Sequence, residues 1–149
     1  MFKQVAGGVG AMLWLVLVAG CAGDAADPPA EAAVASVQGI PPEVLENLPP
    51  GVTAEMVEQG RQAFVVCAVC HGFDGEGTPL GPSLRDSVWL HIDGTSAGIE
   101  RVIRSGVPDP VEYPVPMPAL GGGAFDAEEM KALTAYVDVL GRAAEVKVE

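Results

Sequence analysis

The feature that most constrains this 149-residue chain is a run of five residues, Cys67-Ala68-Val69-Cys70-His71. It places two thiols three positions apart with an imidazole directly after them, so all three can sit on one turn of chain. Few chemistries use that trio. A structural zinc site wants four Cys or His ligands; with Cys21 committed elsewhere, only Cys67, Cys70, His71 and His91 remain. A thioredoxin-like redox pair wants strand–helix alternation around it, which the pattern lacks. A disulfide between residues so close is possible in an oxidising compartment, but it leaves His71 without a use. Composition adds a second constraint. Apolar residues make up 49% of the chain and aromatics only 5%, so the core must come from aliphatic groups or from something that is not protein.

The N-terminus reads as an export signal. Lys3 gives a short positive start, residues 5–18 form an apolar run, and Val18-Ala19-Gly20-Cys21 closes it. The run falls short of the ~20 residues that span a bilayer, which favours a cleaved signal over a lasting helix. The small residues before Cys21 resemble the lipobox of bacterial lipoproteins. That resemblance implies removal of residues 1–20, acylation of Cys21 and lasting attachment to a membrane. Residues 21–50 read as an Ala/Pro-rich tether. Gly23 to Val37 shows no sustained period of 3.6 or 2, and Pro28, Pro29, Pro41, Pro42, Pro49 and Pro50 break any long helix. The folded domain is expected over 51–149. With 20 acidic against 8 basic side chains, the chain lacks the basic footprint that nucleic acid requires.

In an exported chain, Cys-x-x-Cys-His is the attachment signature of c-type haem. Each thiol can add to one vinyl group of the porphyrin, and the adjoining His71 can turn up to the iron. Thr53 is a good N-cap for a helix leading into this motif, with Glu55 in its first turn. Met56, Val57, Gly60, Phe64 and Val65 fall near one face of that helix. Ser96–Ser105 reads as a short helix stopped by Gly106, with Ile99, Val102 and Ile103 inward. Asp126 with Glu129 forms a capping box for a last helix, and Phe125 can staple to Met130. Its apolar face is Met130, Leu133, Tyr136, Val137 and Leu140, and Gly141 ends it.

From about Thr53 to Leu140, these helices and this motif resemble a class I cytochrome c, a small all-α fold of about three to five helices around one covalent haem c. Gly81-Pro82-Ser83-Leu84 matches the family's Gly-Pro-x-Leu stretch after the histidine. The resemblance implies that the Pro82 carbonyl accepts from His71 Nδ1–H and that Leu84 lies on the porphyrin. Gly60, Phe64 and Tyr136 occupy the places where the family's first and last helices cross. The Pro-dense stretch from Tyr113 to Leu120 resembles the family's distal loop, which makes Met117 the sixth ligand, with His91 its rival. Met56 and Met130, at helical spacing, read as core filler. Trp89, Arg85, Arg101 and Arg104 are candidates for the haem propionates and stay unassigned. The pocket is expected to be lined by Phe64, Val66, Leu84, Leu90, Ile103, Leu120 and Leu133.

His/Met ligation fills both axial positions, which suits electron transfer and leaves no open place for peroxide or oxygen. The expectation is a one-electron carrier rather than an enzyme. It would be held by Cys21 on the periplasmic or other extracytoplasmic face of a bacterial membrane, between a dehydrogenase or respiratory complex and an acceptor. An acidic surface implies redox partner proteins with a basic docking face. Two other readings stay open. One is an electron-transfer subunit of a larger oxidoreductase, because Leu84–Leu90 through Ile103 resembles small cytochrome subunits of that kind. The other, a haem enzyme or gas-binding protein, needs Met117 to be displaceable.

Overall fold

The computed structural model describes residues 37–144 and Val146. The expected signal peptide, the lipidation site Cys21 and the tether up to residue 36 lie outside them. Among the described residues the chain forms five α-helices and no strand: α1 (Pro42–Leu45), α2 (Ala54–Ala63), α3 (Ala68–His71), α4 (Ser96–Ser105) and α5 (Ala127–Ala143). Two isolated bridges, Thr78 with Gly81 and Val107 with Met117, pin the loops between them.

The longer helices start where side chains satisfy their first backbone donors. Thr53 Oγ1 accepts from Met56 N at 3.2 Å, and Thr95 Oγ1 accepts from Gly98 N at 3.1 Å. Asp126 and Glu129 complete a reciprocal capping box on α5. α2 and α5 then bury their apolar faces against each other, enclosing Val57, Phe64, Met130, Leu133, Tyr136 and Leu140. Gly60 is what lets them approach. A Cβ there would lie 2.7 Å from Tyr136 Cβ and would run into the Ala132 carbonyl oxygen. With no Cβ in the way, Phe64 and Tyr136 meet edge to face, their centroids 5.3 Å apart. α4 joins α5 through a polar link. The buried Asp138 carboxylate accepts from Ser96 Oγ at 2.9 Å and from Arg142 Nε at 2.9 Å.

Three details depart from expectation. The α-helix that begins after Thr53 tightens into a 3₁₀ turn at Phe64–Val66, and three residues per turn swing Val65 off the apolar face into solvent. Gly141 does not end α5, which runs on to Ala143. A Cβ at Gly141 would lie 2.9 Å from Trp89 Cζ2, so this glycine makes room for an indole. The third departure concerns the stretch expected to be tether. Val37, Ile40, Val44 and Leu45 are buried in the core, and Pro42 opens α1, where its missing N–H is no loss. The packed unit therefore reaches back to Val37, well before the start expected at 51.

Candidate cofactor site

The 3₁₀ turn and α3 carry the motif. Cys67 N donates to Phe64 O and His71 N to Cys67 O, both at about 2.8–2.9 Å, so the helix axis carries on through the cysteines and both thiols reach one wall. That wall belongs to one open, mostly apolar cleft. Cys67, Cys70, His71, Pro82, Leu84 and Met117 all line it. Of the expected apolar lining, Phe64, Val66, Leu90, Ile103 and Leu133 are there as well. Leu120 instead packs against the protein core.

His71 is buried and its ring is oriented. Nδ1 lies 2.9 Å from the Pro82 carbonyl oxygen, an arrangement in which Nδ1–H donates and Nε2 keeps a free lone pair. Burial pushes the His71 pKa down, with the Pro82 hydrogen bond opposing, so the neutral ring is favoured. The loop that brings Pro82 here is tied back to the motif. Gly77 N donates to His71 O at 2.7 Å, Thr78 Oγ1 donates to Cys70 O at 2.6 Å, and Leu84 N donates to Gly75 O at 2.8 Å. Gly77 has φ +85, and a Cβ on it would meet Ser83 N at 2.6 Å, so that turn demands a glycine.

Met117 arrives on the other loop. Val107 N donates to Met117 O at 2.9 Å and Met117 N donates to Val107 O at 3.0 Å. This pair fastens the methionine to the end of α4, where Gly106 (φ +67) leaves room for the Pro118–Ala119 backbone. His91 also lines the cleft. It is exposed, on a stretch, Asp86–Gly94, that no backbone–backbone hydrogen bond among the described residues holds. Of the unassigned candidates, Trp89 lines the cleft and packs on Gly94 and Gly141. Arg104 pairs with Glu100 at 2.8 Å. Arg85 reaches Gly39 O at 2.7 Å, away from the cleft.

The site fits a large apolar group attached through sulfur. Cys67 and Cys70 are free thiols. Burial, with Cys70 adding to it, pushes the Cys67 thiol up to about 11, so it is held as S–H. A Cβ at Gly121 would come within 3.2 Å of Cys67 Sγ, and the glycine keeps a side chain off that sulfur. Val66, Leu80, Val88 and Val115 line the cleft yet are exposed in the bare chain; apolar surface of that extent calls for an occupant.

A small helical fold with two thiols, a hydrogen-bonded imidazole and a thioether around one apolar cleft defines a single-haem electron-transfer protein. The family model for cytochrome c matches residues 57–141, and the chain belongs to that family. Membership implies one haem c bound covalently through Cys67 and Cys70. The chain is also 49% identical over 41 residues to the cbb3-type cytochrome c oxidase subunit CcoP of Azospirillum sp. (strain B510), a stretch covering 28% of this chain and 14% of that relative. No solved structure matches it. Sequence reasoning missed the Val37–Leu45 packing, because the prolines around it read as helix breakers and no local pattern marks its burial.

Proposed function

We propose that this cytochrome carries single electrons, with His71 and Met117 as the axial ligands of the iron and no catalytic step of its own. When bound, the haem supplies an iron that cycles between two oxidation states. The chain's residues do the rest. Cys67 and Cys70 would hold the haem covalently, each by adding S–H across a vinyl group, the sulfur going to one carbon and the hydrogen to the other. Pro82 holds the His71 proton on Nδ1, which would leave Nε2 with raised basicity to bind the iron, and Leu84 would pack on the group. The observation that carries the reading is the meeting of Cys67, Cys70, His71 and Met117 on one apolar cleft. Met117 is favoured over His91 because its backbone is fastened on both sides to Val107, whereas His91 is exposed on a stretch that no described backbone–backbone hydrogen bond holds.

Cys21 would carry the lipid that keeps the domain outside the cytoplasm; no described helix is long and apolar enough to cross a membrane. The partners would be redox proteins with a basic docking face, in keeping with 20 acidic against 8 basic side chains. A second reading, an electron-transfer subunit of a larger oxidoreductase, is supported by the likeness to an oxidase subunit.

The test is the far-red absorption of the oxidised holoprotein, where a Met-sulfur-to-iron band is expected and should vanish in Met117→Ala. A low-spin spectrum without the band transfers the role to His91. A high-spin spectrum in the wild type overturns the closed-iron reading and moves the protein towards ligand binding. Co-purification with a catalytic partner would favour the subunit reading over a free shuttle.

A further inference from the structure

The segment that precedes the family-matched region is fastened to the loop that orients His71. Val37, Ile40, Val44 and Leu45 are buried, and they lie ahead of residue 57, where the family match begins. Between Val37 and Ile40 the chain turns at Gly39 (φ +81), where a Cβ would sit 3.2 Å from Asp74 Oδ1 and 3.3 Å from Arg85 Nη1. Arg85 spans the gap. Its Nη2 donates to Gly39 O at 2.7 Å and its Nη1 to Asp74 O at 3.3 Å. A planar fork can hold two carbonyls from separate segments at fixed angles, which an ammonium cannot.

Arg85 stands three residues after Pro82. Pro82 is held from both sides. Before it, Gly81 pairs with Thr78 through both its N and O; after it, Arg85 N donates to Ser83 Oγ at 3.1 Å, and Leu84 N donates to Gly75 O at 2.8 Å. The Arg85 fork closes the same loop from outside by gripping Asp74 O.

We propose that residues 37–50 form a strap and that Arg85, by clamping it to the 74–85 loop, is a positioning residue for the Pro82 carbonyl on His71 Nδ1–H. The strap thereby sets the electron donation of His71 to the iron, and with it the reduction potential. This rests on the proposal above that His71 is an axial ligand. A stronger Nδ1–H···O bond makes the imidazole a better donor and stabilises oxidised iron, so loosening the clamp raises the potential.

The experiment uses the full-length holoprotein. A pyridine-haemochrome spectrum of the wild type first establishes covalent haem, and the absorption spectrum of the intact protein establishes low-spin iron; failure at either point sinks the functional reading and leaves the strap unengaged in it. Two variants are then compared with the wild type. Arg85→Lys keeps the charge and loses the fork, while Ile40→Ala combined with Leu45→Ala loosens the strap and leaves Arg85 intact. Both should raise the potential, Arg85→Lys by more. Both should also speed severalfold the solvent exchange of the His71 Nδ1 proton in the ferrous protein, followed by NMR. A lower melting temperature with potential and exchange unchanged would overturn the proposal, leaving the strap as stabilisation only. A fall in potential would overturn it as well, because that is the sign of altered charge and not of a weakened ligand.

Discussion

The two loops that face the cleft are immobilised by different means. The loop from Cys67 to Arg85 is cross-tied by directional bonds: Pro82 O to the His71 ring, Thr78 Oγ1 to Cys70 O, and Gly77 N to His71 O. The loop from Val107 to Gly123 has one bridge pair, at Val107 and Met117, and a 3₁₀ turn closed by Gly121 N to Pro118 O and Gly123 N to Leu120 O; the stretch between them is stiffened by five prolines, at 108, 110, 114, 116 and 118. It closes through three successive positive-φ residues, Leu120, Gly121 and Gly122. The difference follows from what each side must hold. An imidazole ligand needs its ring angle and its Nδ1 proton specified, which only hydrogen bonds can do. A thioether has no proton to place and needs only its position, which a stiff chain supplies at little entropic loss.

The largest effect should come from removing the frame that both loops share. Gly60→Ala forces a methyl into the Ala132 carbonyl and Tyr136 and should cost about 3 kcal/mol in denaturant unfolding of the holoprotein. It should also disturb the haem spectrum on both axial sides. The comparison itself is tested next by one change in each loop. Thr78→Val leaves Cys70 O and Leu80 N without their partner and should cost about 1.5 kcal/mol. Pro116→Ala frees the unfolded chain and should cost about 0.7 kcal/mol, with the His71 Nδ1 proton unaffected. If Pro116→Ala proves the costlier of the two, the contrast between bonded and stiffened loops is broken.

The smallest effect lies away from both loops. The Arg61 hydrogen bond holds the Glu58 carboxyl below its ordinary value of 4.5. Because the folded value is depressed, this contribution is present above about pH 4.5 and is lost as pH falls through the folded value. About one-third exposed and within one helix, the pair should contribute about 0.4 kcal/mol. Comparing acid titrations of wild type and Glu58→Gln would check it.

Much of the frame was legible along the chain, because its signals are local. Thr53, Asp126 and Glu129 act as caps within one turn of where they stand, and Met130, Leu133, Tyr136, Val137 and Leu140 repeat at helical spacing. The strap was illegible for the opposite reason. Its prolines read as breakers, and the burial of Val37 and Ile40 depends on surfaces far along the chain. Gly141 shows the same limit: beside a helix end it reads as a stop signal, and only the Trp89 indole lying over it explains why the helix continues.

By itself, then, the sequence determined the all-α class, the three main helices and the covalent attachment motif, since spacing, capping and thiol chemistry act over a few residues. The tertiary structure decided what joins distant segments: the Gly60 crossing that seats α2 on α5, the Pro82 carbonyl placed on His71, and Met117 fastened to Val107. It also decided that residues 37–50 belong to the fold, held by Arg85. Those outcomes depend on which surfaces meet, and chain order alone carries no record of the distances at which they do.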